Sequence, residues 1–166
     1  MVHTEKSIEV EVPVRTAYNQ WTQFEEFPRF MEGVKSVRQT DEKRLDWLAE
    51  IAGKEVRWSS EILRQDPDRM VSWRSTSGAR NSGAVTFQPL APSKTKITLR
   101  LEYEPEGAVE KTGSAIGVVG SRVEGDLQRF KEFIEARGSE TGAWRGEIRG
   151  GEVRRGEAGT GLGAAS

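Results

Sequence analysis

The 166-residue chain has no cysteine and a single histidine, His3. The first absence excludes a disulfide framework, a thiolate nucleophile and a cysteine-ligated zinc. A lone histidine near the N-terminus has no partners for a metal site and builds no Ser-His-Asp or Cys-His constellation. Neither sign of charge dominates, since 25 Lys and Arg stand against 26 Asp and Glu. Without a basic footprint, binding through phosphate neutralisation is disfavoured, and no nucleic-acid partner is expected. No apolar run approaches the roughly 20 residues that span a bilayer, so no stable membrane insertion is expected. The opening residues MVHTEKSIEVEVP carry charges where a signal peptide needs an apolar core. These absences together lead to the expectation of a cytoplasmic monomer or small homo-oligomer, with no cofactor.

What is present is strong periodicity. Ser7 to Val12 alternates Ile8, Val10 and Val12 with Glu9 and Glu11, the pattern of a half-buried strand, preceded by a disordered N-terminus. Pro13 ends it, and Val14, Ala17, Tyr18 and Trp21 then recur at helical spacing. FEEFPRFM, from Phe24 to Met31, is too apolar for a solvent loop, and Pro28 breaks it into a short helical turn. From Val34 the period becomes two. Strands are predicted over Val34–Gln39, Arg44–Ala52, Glu55–Arg64, Arg69–Thr76 and Gly83–Leu90, and a last one carries Ile97, Leu99, Leu101 and Tyr103. TDEK, Gly53-Lys54, QDPD, SGARNS and APSK supply the turns between them.

Gly113 to Arg137 is the one long helical stretch, with Ile116, Val119, Val123, Leu127, Phe130 and Ile134 on a single apolar stripe. Its first half is thinned by Gly113, Gly117, Gly120 and Gly125, each costing roughly 1 kcal/mol relative to alanine in a helix interior. GSAIGVVG is not a phosphate loop, because no lysine follows its glycines and no buried strand precedes it. Half of the 18 glycines fall after residue 137. A domain over residues 1–137 and a Gly-rich, flexible tail over 138–166 are therefore expected, with Trp144 and Ile148 able to dock a short segment and disorder beyond Gly150.

Short turns make consecutive strands antiparallel, and the terminal helix is the only large element able to cover the sheet's apolar face. The fold class is α+β: a curved antiparallel sheet of about seven strands gripping a long C-terminal helix, with two short helices after the first strand. AYNQWTQFEEFPRFMEGV (Ala17 to Val34), DWLAEIAGKEVRW (Asp46 to Trp58), VSWRSTSGARNSGAVTF (Val71 to Phe87) and LEYEPEG (Leu101 to Gly107) resemble the polyketide cyclase/dehydrase and coenzyme Q-binding branch of the START-like superfamily. The resemblance covers Ser7 to Arg137. It implies a helix-grip fold with a hydrophobic cavity between sheet and helix. Members bind lipids, quinones or polyketides, and a minority catalyse cyclisation or dehydration.

Trp47, Trp58 and Trp73 are predicted on the inner face of adjacent strands, either as ordinary core or as the wall of a ligand cavity shared with Phe87, Leu101, Ile116 and Val119. Ser60 and Ser75 are the polar points in that wall. Gly117 and Gly120 make space under the thin half of the helix, and Phe27, Phe30 and Met31 cover the entrance. The expected partner is a small hydrophobic ligand. A cyclase would need inward polar groups, for which Ser60, Ser75, Tyr103, Arg74 and Glu50 are the candidates; a protein-interaction module would need an exposed apolar patch near Trp144. No residue is assigned a catalytic role.

Overall fold

The computed structural model describes residues 2–51, 53–104 and 113–154, with residues 2, 51 and 113–119 described by their backbone alone. Strand β1 (Val2–Val10) leads into helix α1 (Val14–Trp21) and a 3-10 helix (Phe24–Arg29). Six strands follow: β2 (Val34–Asp41), β3 (Arg44–Ile51), β4 (Lys54–Asp66), β5 (Met70–Gly78), β6 (Asn81–Ala91) and β7 (Lys94–Tyr103). Helix α2 (Gly113–Arg137) then crosses the sheet, and a hairpin of β8 (Glu147–Arg149) and β9 (Glu152–Arg154) completes the described chain. The seven long strands lie in the order β1-β7-β6-β5-β4-β3-β2, every neighbouring pair antiparallel. This is an open, curved sheet around a helix, the helix-grip architecture.

The period-two pattern decides which side chains face the helix. Along β1 exposure alternates, with Thr4, Lys6, Ile8 and Val10 inward and Glu5, Ser7 and Glu9 outward. Ile62, Val71, Val85, Phe87, Ile97 and Leu99 form the buried floor, and Val123, Leu127, Phe130 and Ile134 of α2 seal it from above. α1 contributes Ala17, Tyr18 and Trp21 from one face, as expected from their spacing.

Three expectations change. β1 begins at Val2 rather than Ser7, because β7 offers a partner for every residue from Val2↔Tyr103 to Val10↔Thr95; His3, expected beside a disordered end, lies in this strand near Glu102 and is exposed. The β5–β6 hairpin is longer than the turn-rich SGARNS implies, and only Ala79 and Arg80 lie between its strands. Defined structure also continues past Arg137 as far as Arg154, a longer stretch than the short docked segment around Trp144 and Ile148 expected within a flexible tail. Residues 138–154 fold back across α1 and β4 through polar contacts. Gln20 and Thr141 are joined by two hydrogen bonds, of 3.0 and 2.8 Å, Asn19 donates to Glu140 at 2.8 Å, and the Trp144 amide donates to Thr22 Oγ1 at 3.0 Å. Arg145 donates to Asn19 Oδ1 at 2.6 Å and to Asp68 Oδ2 at 2.8 Å. Ile148 is fully buried and pairs with Gln65 of β4. Two apolar anchors and a row of side-chain hydrogen bonds thus hold a segment whose glycine content alone argues for disorder. Residues 155–166 lie outside the described residues.

Candidate functional site

The concave face has two regions of different character. Under the C-terminal half of α2, aromatic rings interlock: Trp21 and Phe130 are 5.0 Å apart, Phe30 and Phe130 5.1 Å, and Trp21 and Phe27 5.6 Å, all edge to face. Such pairs add about 0.5–1.5 kcal/mol each beyond their buried area. Phe27 and Phe30, expected over an entrance, are only 3% and 2% exposed and belong to this sealed cluster. Met31 packs half-buried at its margin.

Toward the other end of the sheet the wall stays apolar but is only half-buried. Trp47 and Trp58 face each other across the β3–β4 pair, stacked with centroids 5.4 Å apart and planes 9° from parallel. Trp47 Nε1 donates to Ser60 Oγ at 2.9 Å, which satisfies the indole and fixes a buried serine beside it. Trp73, next in the wall, lies against Gly83 of β6. A Cβ on residue 83 would meet the indole at 2.7 Å and the Arg100 carbonyl at 2.5 Å, so only glycine lets this ring lie close to the sheet. Trp73 Nε1 donates to Asn81 Oδ1 at 3.3 Å, and the Asn81 amide N–H donates to Ser75 Oγ at 3.1 Å. Opposite Trp58 in the β4–β5 register stands Gly78, which places no side chain beside the indole. Trp47, Trp58, Trp73, Ser75 and Leu101 are all half-buried, whereas Phe87 belongs to the sealed floor.

Ser60 and Ser75 are thereby brought into the wall, each accepting one hydrogen bond and keeping a hydroxyl hydrogen to donate. Asn81 is the polar wall residue that sequence reasoning missed, because it falls within a stretch read as turn. Arg74 and Glu50 lie on the convex side, exposed and paired with Glu61 and Lys35. The concave positions from β4 to β7 around the tryptophans carry neutral side chains: Trp58, Ser60 and Ile62, then Trp73 and Ser75, then Asn81, Gly83 and Val85, then Leu99 and Leu101.

Helix α2 is held on two sides. On one, buried Gly120 faces β1, with Thr4 Oγ1 at 3.5 Å and Lys6 Cε at 3.9 Å from where its Cβ would stand. On the other, a charged clasp grips the chain between the 3-10 helix and β2. Arg129 donates to the Phe30 carbonyl at 3.0 Å and to Asp126 at 2.6 Å, Asp126 accepts the Glu32 amide at 3.0 Å, and Arg122 donates to the Glu50 carbonyl at 3.1 Å. Burial pushes the Asp126 carboxyl up to about 6 despite the opposing pull of Arg129. The surroundings of Ile116, Gly117 and Val119, expected in the cavity lining, lie outside the described residues. Two surface grooves of about 540 and 470 Å³ occur elsewhere, one between the 3-10 helix and Trp144, the other between the start of α1 and the β4–β5 turn. Both are wide open and bordered by charged side chains, so the neutral tryptophan wall is the stronger candidate for an apolar ligand.

An open antiparallel sheet gripping a long helix, with an apolar wall on its concave face, defines a START-like protein. The chain belongs to the polyketide cyclase/dehydrase and lipid transport family, whose sequence profile matches residues 10–132. A Streptomyces lincolnensis protein of 17.2 kDa, itself described only as uncharacterized, is 46% identical over 149 residues, covering 89% of this chain and 99% of the relative. A START superfamily protein from Mycobacterium smegmatis superposes with a TM-score of 0.73 at 17% identity, covering 82% of this chain and 99% of that one. The Zhui aromatase/cyclase from a Streptomyces species gives 0.71 at 18% identity, covering 86% and 98%. At these identities the two structures speak for the fold. Among the described residues, no helix is long and apolar enough to cross a membrane.

Proposed function

We propose that this chain binds a small hydrophobic ligand between the concave face of the sheet and the N-terminal half of α2. The observation that carries the reading is the incomplete burial of Trp47, Trp58, Trp73 and Leu101. Their side chains point toward the helix, yet water still reaches them, while the neighbouring aromatic cluster is closed. Large apolar groups kept wet on an inward face gain free energy when a ligand covers them, about 25 cal/mol for each Å² removed from water. Ser75 and Ser60 supply hydroxyl donors that orient a carbonyl or hydroxyl of that ligand. The neutral wall and the outward placement of Arg74 and Glu50 favour binding over acid–base catalysis.

The test is a thermal-shift and tryptophan-fluorescence screen with quinones, flat aromatic ketones and long-chain lipids. A ligand present at 100 times its Kd stabilises the fold by about 2.7 kcal/mol. Binding is expected to raise the melting midpoint and change the indole emission, and Gly83→Val, which forces Trp73 off the sheet, is expected to abolish both responses. A protein whose midpoint and emission stay unchanged across the whole set would sink the proposal.

A further inference from the structure

We infer that the ligand is an acid, an apolar body bearing one carboxylate that pairs with the ammonium group of Lys6; the inference rests on the binding site proposed above. Lys6 has the parity of Ile8 and Val10, so its side chain leaves β1 on the concave side, half-buried. Its Cε reaches the thin half of α2, 3.9 Å from where a Cβ on Gly120 would stand, with Thr4 Oγ1 also beside that position. Both are ordinary van der Waals distances, so the helix backbone passes directly over the lysine stem. In register, Lys6 stands beside Leu99 and Thr4 beside Leu101, and Leu101 is followed by Gly83 and then Trp73 across the sheet. A cationic notch with a hydroxyl neighbour therefore adjoins the neutral apolar wall.

The ammonium of Lys6 has no hydrogen-bond or ion-pair partner among the described residues. Its neighbours on β1 differ, since Glu5 on the convex side pairs with Arg100, and Glu9 pairs with Lys94. On α2, the charged groups turned toward β1 are engaged as well: Lys131 and Glu135 bind each other, the Glu9 carbonyl and the Glu11 amide. A cation at the edge of an apolar wall, with no counter-charge among the described residues, is a ready partner for an incoming anion. One ammonium and one hydroxyl, with no guanidinium fork beside them, suit the single charge of a carboxylate.

The experiment compares 2-naphthoate with its uncharged methyl ester by fluorescence titration on the full chain, alongside Lys6→Met and Lys6→Arg, with folding of each variant checked by circular dichroism. A charge-assisted contact in a partly dry site corresponds to roughly tenfold or more in affinity. The wild-type protein is expected to prefer the acid by that factor. Lys6→Met should lose the preference while keeping the ester's affinity, and Lys6→Arg should retain most of it. Equal affinity of the wild-type protein for acid and ester, or an equal loss of both in Lys6→Met, would overturn the carboxylate assignment while leaving apolar binding in place. Failure of both probes together with the quinones, ketones and lipids would overturn the binding site itself.

Discussion

Toward its C-terminus, α2 sets Val123, Leu127, Phe130 and Ile134 into the sheet, and Trp21 and Phe30 pack edge to face on the fully buried Phe130. Toward its N-terminus, the same helix meets β1 through a glycine, and the tryptophans of β3, β4 and β5 stay partly wet. One helix on one sheet thus serves two purposes. Its packed half supplies stability, which leaves the thin half free to be shaped by something other than packing. The clasp of Arg122, Asp126 and Arg129 sits between the halves and ties the chain at Phe30–Glu32 to the helix.

The sharpest way to break this comparison is to cut one large ring from each half. Phe130→Ala removes a fully buried ring and is expected to cost about 3–5 kcal/mol in urea unfolding. Trp58→Ala removes a half-exposed one and is expected to cost about 1 kcal/mol while weakening ligand binding. Similar losses in the two variants would mean that the tryptophan wall is ordinary core.

The second prediction concerns the C-terminal segment. Arg145→Ala leaves Asp68 and Asn19 without their shared donor and is expected to cost about 1–3 kcal/mol. Faster proteolysis should be confined to residues 138–154, with Phe130 and the α2 core still protected. A uniform rise in cleavage would show that the segment and the core unfold as one.

The smallest effect is at the clasp. Asp126 has its folded-state carboxyl raised to about 6, so its contribution to stability is fully present below the ordinary value of 3.8 and is lost as the pH rises through 6. Asp126→Asn removes that dependence. Relative to the wild-type protein, the variant should gain about 1–2 kcal/mol between pH 4 and pH 7 in paired denaturation curves. A stability difference that does not change over this range would count against a buried, charged clasp.

Much of the architecture was readable from periodicity. The inward parity of Leu45, Trp47 and Ala49, of Ser60 and Ile62, and of Val71 and Trp73 follows from alternation, and turn residues mark most of the hairpins. Rotation of the helix was not readable. The stripe through Val123 and Phe130 shows which face is apolar, but not that Gly120 would look at β1. Asn81 was hidden because SGARNS has the composition of a turn, whereas register with β7 carries β6 as far as that residue. The docked segment was legible through its apolar residues Trp144 and Ile148, but its polar contacts were not. Those contacts are hydrogen bonds joining Gln20 with Thr141, Asn19 with Glu140 and the Trp144 amide with Thr22 Oγ1, and polar pairs between distant residues leave no periodic trace.

That segment has a further consequence. β4 outruns β3, whose pairing ends at Arg44↔Glu61, and the remaining residues on that side are met by β8 at Gln65 and by the Gly151 amide at the Leu63 carbonyl. Strip the chain back to Arg137 and a length of β4 would show bare carbonyls and amides next to the pocket vacated by Ile148. Such a margin invites another molecule's strand. The β8–β9 hairpin therefore guards this margin against aggregation, and a shortened form should be judged by whether it stays dispersed at high concentration.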